Sequence, residues 1–314
     1  MMRRRTLIGG GLTLLGCRSG APTRELREPG PGAAQADADV TTTTMLSRPM
    51  PGTGESLPVI GLGAWPGGAG PESPRSRAAL VTLLAGGGRV LDISAAGAEI
   101  EEVAGDLLAE ADAVQKMFLA TRVRVPGHRE GQMQMERTLN RLGRRRIDLM
   151  QVHHLADFAT HLDTLRRWRA VGHARYIGAT IETFDMLPAL ERELPTAKLD
   201  TVQLPYSIFS RVADERVLSV AAEHGVAVLA ARPLGDADAL AALRRRPLPG
   251  LAAELDCTGW EQLLLKWVLA HPAVHCVLPG AEELLGAIDL LRAGHGPMPD
   301  EAQRRGLLAY VEQG

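Results

Sequence analysis

The stretch Val90–Gly105, VLDISAAGAEIEEVAG, changes its hydrophobic pattern halfway along. Residues 90–93 form a short apolar run, which is typical of a strand that is buried on both faces. Further on, apolar residues recur at helical spacing and predict one buried helix face, made by Ile100, Val103, Leu107 and Leu108. The stretch therefore predicts a strand followed by a helix, and one carboxylate, Asp92, stands where the strand ends.

The same order of strand and helix repeats along the chain. Eight short runs predict strands, at Val59–Leu62, Val90–Ile93, Met117–Thr121, Ile147–Val152, Arg175–Gly178, Thr201–Leu204, Val226–Ala230 and Val274–Leu278. Two more helical stripes fall between them, Leu162, Leu165, Trp168 and Val171, and Leu263, Leu264, Trp267 and Val268. This pattern predicts an α/β fold of the (β/α)8 TIM-barrel type, in which function belongs to the carboxyl ends of the strands.

Two observations narrow the class of protein. No G-x-G-x-x-G motif follows a predicted strand, which disfavours an open dinucleotide-binding sheet. The 314 residues carry a formal charge of −2, and a near-neutral chain is not typical of a nucleic-acid-binding protein. We therefore expect no nucleic-acid partner.

The N-terminus has the pattern of a targeting segment. Residues 1–17 combine a basic start with a short apolar run; Arg4 and Arg5 resemble a twin-arginine export signal, and the residues up to Cys17 resemble a lipobox. Residues 18–42 are rich in Pro, Gly, Thr and charge and predict a flexible, disordered tether to a barrel at 43–314. We expect an exported chain, periplasmic or anchored to the membrane by a lipid on Cys17. A frayed cytoplasmic leader is the alternative.

A series of segments in the barrel region resembles a known family. They are LPVIGLGAW (57–65), FLATRV (118–123), RRRIDLMQVHH (144–154), RYIGAT (175–180), VQLPYS (202–207), GVAVLAARPLG (225–235) and LLLKWVLAHPAVHCVLPG (263–280). In this order they are similar to the aldo-keto reductases, from about residue 45 to the end. The resemblance implies a TIM barrel, reduction of a small-molecule carbonyl substrate, and NADP(H) as cofactor.

The resemblance also assigns the catalytic positions. The family uses a Tyr that donates a proton, a Lys that lowers the pKa of the Tyr, an Asp that holds the Lys, and a His that orients the carbonyl. Asp92 and His153 match the Asp and the His, whereas Arg122 stands at the Lys position and Gly97 at the Tyr position. We therefore expect Asp92 to pair with Arg122 across neighbouring strands, in a structural rather than a catalytic role.

The cofactor positions are altered as well. The resemblance assigns contacts with the cofactor to Thr180, Gln203, Tyr206, Ser207, Pro233, Leu234, Gly235 and Gly280, with Tyr206 stacking on the nicotinamide. Ile181 stands where the family has Asn or His for the carboxamide, and Asp236, Asp238, Glu282 and Glu283 follow the phosphate-binding strand ends. Acidic residues repel phosphate, although they are also ordinary residues at a helix N-terminus. We expect weakened NADP(H) binding.

Two functions stay open on the sequence. The first is an exported, monomeric pseudoenzyme, a barrel that has lost the family reaction and binds a small ligand or a partner protein. The second is an active exported oxidoreductase that holds its cofactor tightly and takes its proton from His153 or water. Metal binding by His153 and His154 is not expected, because adjacent strand residues point to opposite faces.

Overall fold

Eight parallel strands form one sheet at the centre of the protein, and they follow one another in the sheet in their order along the chain. The computed structural model describes residues 44–63, 74–93, 98–111, 113, 116–280 and 288–313. A short hairpin, β1 (Ser47–Pro49) and β2 (Ser56–Pro58), precedes the eight, which are β3 (Gly61–Leu62), β4 (Val90–Asp92), β5 (Phe118–Val123), β6 (Ile147–His153), β7 (Ala174–Thr180), β8 (Thr201–Pro205), β9 (Ala227–Ala231) and β10 (Val274–Leu278). A parallel bridge joins Ile60, the residue before β3, to Val277 on β10, so the sheet closes into a barrel.

Helices alternate with these strands and cover the outside of the barrel. They are α1 (Pro74–Ala85), α2 (Ala98–Glu110), α3 (His128–Arg141), α4 (Phe158–Ala170), α5 (Leu187–Ala197), α6 (Val217–Glu223), α7 (Ala237–Arg244), α8 (Leu251–Glu254), α9 (Trp260–Leu269), α10 (Ile288–Leu291) and α11 (Glu301–Glu312). Short 3-10 turns lie at Phe184–Met186, Val212–Asp214 and Arg292–Gly294. The predicted (β/α)8 barrel is confirmed.

The predicted elements differ from the observed ones mainly at their ends. All eight predicted strands are present, and β7 is longer than expected by one residue at its start and two at its end. The predicted helical stripes are buried except for Val171, which is 68% exposed because α4 ends at Ala170. The hairpin β1–β2 was not predicted, because three-residue strands are too short to show an alternating pattern.

The hairpin lies at the amino-terminal end of the barrel. Arg48 on β1 donates a hydrogen bond to the carbonyl oxygen of His271 at 3.0 Å, and it also contacts the carbonyl oxygens of Leu269 and Val274. These carbonyls lie before or at the start of β10. The hairpin therefore covers the end where the strands begin and leaves the carboxyl ends of the strands for a site.

The inside of the barrel changes character from one layer to the next. Near the strand starts it is apolar, with a cluster that includes Val90, Phe118, Leu149 and Leu229. Side chains two residues apart on a strand share a face. The next inward positions along the strands therefore form a second layer, which is buried but polar and includes Asp92, Arg122, Gln151 and Gln203.

Some predictions fall on residues that the structure does not describe. Cys17 and the boundaries predicted at residues 17 and 42 lie in this part of the chain, and so do Gly97, Glu282 and Glu283. Within the described ranges, no helix has both the length and the apolar character needed to cross a membrane.

The packing between β7 and β8 gives a test of the barrel. A methyl group added at Gly178 on β7 would lie 2.3 Å from Oγ1 and 2.8 Å from the carbonyl oxygen of Thr201 on β8. We predict that Gly178→Ala lowers the free energy of unfolding by about 1–3 kcal/mol, because the two strands must move apart. The measurement is urea unfolding at equilibrium.

The control is Gly306→Ala on α11, where an added methyl group has no neighbour within 4 Å. In an exposed helix, alanine is favoured over glycine, so this variant is expected to be up to about 1 kcal/mol more stable than the parent chain. Equal unfolding midpoints for the two variants would contradict the close contact of β7 and β8.

Candidate active site

Arg122 lies at the centre of the polar layer and contacts four side chains. Its guanidinium donates to Oδ2 of Asp92 at 3.1 Å and to Oε1 of Glu182 at 2.8 Å. It also lies 3.3 Å from Nδ1 of His153 and 3.5 Å from Oγ1 of Thr180. Arg122 is only 6% exposed. The pairing of Asp92 with Arg122 across β4 and β5 is therefore confirmed, and the guanidinium fills the space between the strand ends.

Asp92 also accepts a hydrogen bond from a side-chain amide, that of Gln203, which is in turn bonded to the amide of Gln151. Nε2 of Gln203 donates to Oδ2 of Asp92 at 2.6 Å, and Nε2 of Gln151 donates to Oε1 of Gln203 at 3.0 Å. All three side chains are buried. Asp92 thus accepts from a cation and an amide at once, and the amide of Gln203 is already occupied within the protein.

His153, the last residue of β6, is half-buried beside Arg122. Burial, and after it the positive charge of Arg122, lower the pKa of its imidazole from 6.5 to about 4. Because the nearby nitrogen of Arg122 always carries a proton, Nδ1 of His153 is the acceptor in this contact. The imidazole of His153 is therefore neutral at pH 7.

The sequence predicted that the side chains of His153 and His154 point to opposite faces of the sheet. This prediction is wrong. The backbone leaves the extended conformation after β6, and His154 has a φ of 51°, in the left-handed region. The two imidazole rings are stacked, with their centroids 4.1 Å apart and an angle of 18° between their planes. The turn at residues 154–157 therefore brings both rings to the same side of the strand end.

Glu182 completes the rim of the site and was not identified from the sequence. It follows β7 by two residues, and its carboxylate is bonded through Oε1 to Arg122 while Oε2 lies 3.7 Å from Nε2 of His154. The side chain of Glu182 is 52% exposed. Its position just beyond the end of a barrel strand is the signal that could have found it.

The three tyrosines of the chain all lie away from this rim. Tyr176 bonds through its hydroxyl to Thr53 and Glu55 at the hairpin end of the barrel. Tyr310 on α11 bonds to the carbonyl oxygen of Pro247. Tyr206 bonds to Asp214 and Arg304, outside the barrel. No tyrosine hydroxyl is therefore available to a substrate beside Arg122 and His153.

The position of Tyr206 also corrects its expected role as the surface on which the nicotinamide stacks. Its ring is 1% exposed and contacts Trp267 on α9 and His271, with ring centroids 5.8 Å apart in both cases. These contacts place the ring between the sheet and the helical layer. Ser207 is also buried, and its backbone pairs with that of Ser210.

The residues that follow β9, which the resemblance assigns to the cofactor, make contacts within the protein that account for their residue types. Gly235 has a φ of 76°, and a methyl group there would lie 2.5 Å from the ring of Phe209. Pro233 and Leu234 are buried. Asp236 caps α7, with its carboxylate accepting from the backbone N–H of Ala239 at 2.8 Å. A carboxylate therefore already binds the helix N-terminus that a phosphate would use.

Two more residues that the resemblance assigns to cofactor contacts, Thr180 and Gly280, lie near the rim. Thr180 is 1% exposed and contacts Arg122, and Gly280 is half-buried after β10. Ile181, at the position of the carboxamide contact, is also 1% exposed. The structure thus brings Asp92, Arg122, His153, Thr180 and Gln203 together and leaves Tyr206 and Ser207 outside the cluster.

The buried ion pair predicts a clear effect on stability. Asp92→Asn keeps the shape of the side chain but removes the charge that balances Arg122, and breaking a buried pair from one side costs about 3 kcal/mol. We predict a loss of this size in the free energy of unfolding at pH 7, measured by chemical denaturation.

Asp163→Asn is the matched control. Asp163 is 62% exposed and pairs with Arg166 at 3.6 Å and Arg167 at 3.7 Å. Exposed pairs contribute little, so this variant is expected to differ from the parent chain by less than about 0.5 kcal/mol. A similar small effect of Asp92→Asn would show that the pair is not an internal support of the barrel.

Comparison with solved structures shows the same fold. An aldo-keto reductase from Bacillus halodurans, in its apo form, superposes with a TM-score of 0.66 at 21% identity, over 85% of this chain and 96% of that chain. An aldo/keto reductase from Klebsiella pneumoniae, solved with NADP and acetate, gives a TM-score of 0.65 at 22% identity, over 86% and 94%. The glycerol dehydrogenase of Gluconobacter oxydans gives 0.66 at 18% identity, over 84% and 94%.

A search of curated proteins finds no match. Residues 59–305 match the protein family described as the Aldo/keto reductase family, which is most of the chain. Together with the closed barrel and the polar cluster at its strand ends, this match identifies the chain as a member of the aldo/keto reductase family.

Proposed function

We propose that this family member has lost carbonyl reduction by the family's chemistry and that its rim binds a small ligand or a partner protein. The observation that carries the proposal is the environment of Arg122. Its guanidinium is fixed by Asp92, Glu182 and His153 at the place where the family has a lysine beside a tyrosine. In this proposal the protein is a barrel in which the residues at the family's catalytic positions form an internal ion-pair network.

The missing step is proton donation. Reduction of a carbonyl needs an acid that delivers a proton to the oxygen as the hydride arrives. Arg122 is permanently protonated and does not give up its proton. With a pKa of about 4, His153 carries a proton in about one molecule in a thousand at pH 7. Neither side chain replaces the tyrosine, which disfavours the alternative of an active reductase that uses His153.

The described residues also fit NADP(H) poorly. Two solved neighbours from Klebsiella pneumoniae hold NADP or NADPH, a cofactor whose chemistry is hydride transfer. In this chain the amide of Gln203 is bonded to Asp92, the ring of Tyr206 is packed outside the barrel, and the carboxylate of Asp236 caps α7. We infer that NADP(H) binds weakly or not at all.

The proposed location supports the same conclusion. A chain exported through Arg4 and Arg5 and anchored by a lipid on Cys17 works where there is no NADPH pool with which to exchange cofactor. A binding function needs no such pool. Export, the lipid anchor and the monomeric state are part of this proposal.

The lipid anchor is tested by fractionation of cells that express the full chain. We predict that the parent chain sediments with membranes, that Cys17→Ala releases it into the soluble fraction, and that Arg4→Lys with Arg5→Lys keeps it in the cytoplasm. Arg3→Lys, which changes a neighbouring charge outside the twin-arginine pair, is the control and is expected to behave like the parent chain. A parent chain that is soluble in the cytoplasm would contradict the proposal.

The loss of the family reaction is tested with the cofactor itself. We predict that titration with NADPH or NADH up to millimolar concentration produces no change in nicotinamide fluorescence, and that an aromatic aldehyde is not reduced. The variant Gly97→Tyr with Arg122→Lys restores the family's donor and its lysine. We expect it to stay inactive, because the cofactor positions are unchanged.

Three outcomes separate the possibilities. Tight cofactor binding and turnover by the parent chain would contradict the proposal and establish an active oxidoreductase. Activity in the double variant alone would show that the rim still holds the cofactor and that the defect is limited to the proton donor. Inactivity of both, without cofactor binding, is the expected result.

A further inference from the structure

Two imidazoles and a carboxylate converge at the rim, on the side of Arg122 that faces β6 and β7. His153, His154 and Glu182 each offer one ligand atom, and these three atoms all lie within 4.8 Å of one another. We propose that these three residues bind a divalent transition-metal ion, with Zn²⁺ as the test ion. The inference does not rest on the loss of carbonyl reduction, since neither the cofactor nor a proton donor takes part in it.

The backbone conformation of the turn after β6 brings these side chains together. His154, Leu155 and Asp157 have φ values of 51°, 53° and 46°, so three non-glycine residues of one turn lie in the left-handed region. Backbone strain of this kind concentrates at binding and catalytic sites, where the surrounding structure maintains it. The backbone N–H of His154 bonds to the carbonyl oxygen of Thr180 at 2.7 Å, which ties the turn to the end of β7.

The atoms that face the shared space suit a metal ion. Nε2 of His154 is buried and makes no hydrogen bond within the described residues. It lies 3.7 Å from Oε2 of Glu182, the carboxylate oxygen that Arg122 does not use. A ligand carboxylate whose second oxygen is held by a hydrogen-bond donor is the usual arrangement around protein-bound metals. Glu182 therefore has one oxygen for the ion and one for Arg122.

The geometry requires a small closure of the side chains. Bonds of about 2.1 Å in a tetrahedral zinc site place the ligand atoms about 3.4 Å apart, whereas the limit here is 4.8 Å. Glu182 and His154 have side chains that are 52% and 32% exposed, so both have room to move by this amount. His153, which is less free, provides the fixed side of the site.

Arg122 sets the cost of binding. Its Nη1 lies 3.3 Å from Nδ1 of His153. An ion bound to His153 breaks this hydrogen bond, either by taking Nδ1 or by taking Nε2 and moving the ring proton to Nδ1. Arg122 keeps its bonds to Asp92 and Glu182 when this contact is lost. Asp92 balances its charge, so the carboxylate of Glu182 still contributes a net negative charge to the ion.

The ligand set indicates which ions would bind. Imidazole nitrogens favour zinc, copper, nickel and cobalt, whereas magnesium and calcium prefer sites made of oxygen atoms alone. Two histidines and one glutamate leave a fourth tetrahedral position open. The side chains of His154 and Glu182 are partly exposed, so a water molecule or a small ligand would have access to the bound ion.

The experiment uses the untagged full chain, treated with a chelator and then titrated with Zn²⁺ against a chromophoric zinc indicator. We expect one ion per chain. His154→Ala and Glu182→Gln should each weaken binding by about tenfold or more, since each removes a ligand atom. Magnesium at millimolar concentration should not compete. Co²⁺ bound at the same site should give visible absorption bands that both variants lose.

The matched controls are His224→Ala and Glu223→Gln. These residues are neighbours at the exposed end of α6, and they offer the same two side-chain types away from the barrel rim. Thermal unfolding followed by circular dichroism verifies that all four variants are folded. Absence of zinc binding by the parent chain, or binding that His154→Ala and Glu182→Gln leave unchanged, or equal weakening by the control variants, would overturn the proposal.

Discussion

A buried cation at the mouth of the barrel, Arg122, is the centre of the polar network there. The guanidinium of Arg122 is almost inaccessible to water, and a charge in such a place must be paired and hydrogen-bonded if the fold is to tolerate it. Asp92 supplies the balancing charge, and Gln203 and Gln151 extend the network across the barrel interior. The ion pair of Asp92 and Arg122 thereby joins the neighbouring strands β4 and β5.

The sequence was sufficient to predict the barrel because each strand is a short apolar run and three helices, α2, α4 and α9, carry apolar residues at helical spacing. Both patterns involve residues that are close together in the chain, so they can be recognised in a single sequence. The hairpin β1–β2 was missed because its three-residue strands are too short to show a pattern, and the contacts that hold it are with distant carbonyl oxygens near β10. Val171 was misplaced because a helical period continues in the sequence after the helix itself has ended at Ala170.

In the site, the pair Asp92–Arg122 could be predicted because β4 and β5 are neighbours and both side chains stand near the strand ends. The orientation of His154 could not. Alternation of faces along a strand holds only while the backbone is extended, and the left-handed residue after β6 brings two adjacent rings together. Tyr206 was misassigned for a related reason, since it follows the last residue of β8 and its ring turns outward to Trp267.

An arginine at position 122 differs from the family's lysine in shape and in the number of its donors. A planar guanidinium has five donors, so it can bond to Asp92 and Glu182 at once, whereas an ammonium group is a compact point charge. Arg122 thereby links the inherited cluster to Glu182, which lies beyond the strand end. Asp92 and Glu182 carry two negative charges against one on Arg122. With the proposed dication bound, the rim gains a net positive charge, so its open position would favour an anionic ligand such as a carboxylate.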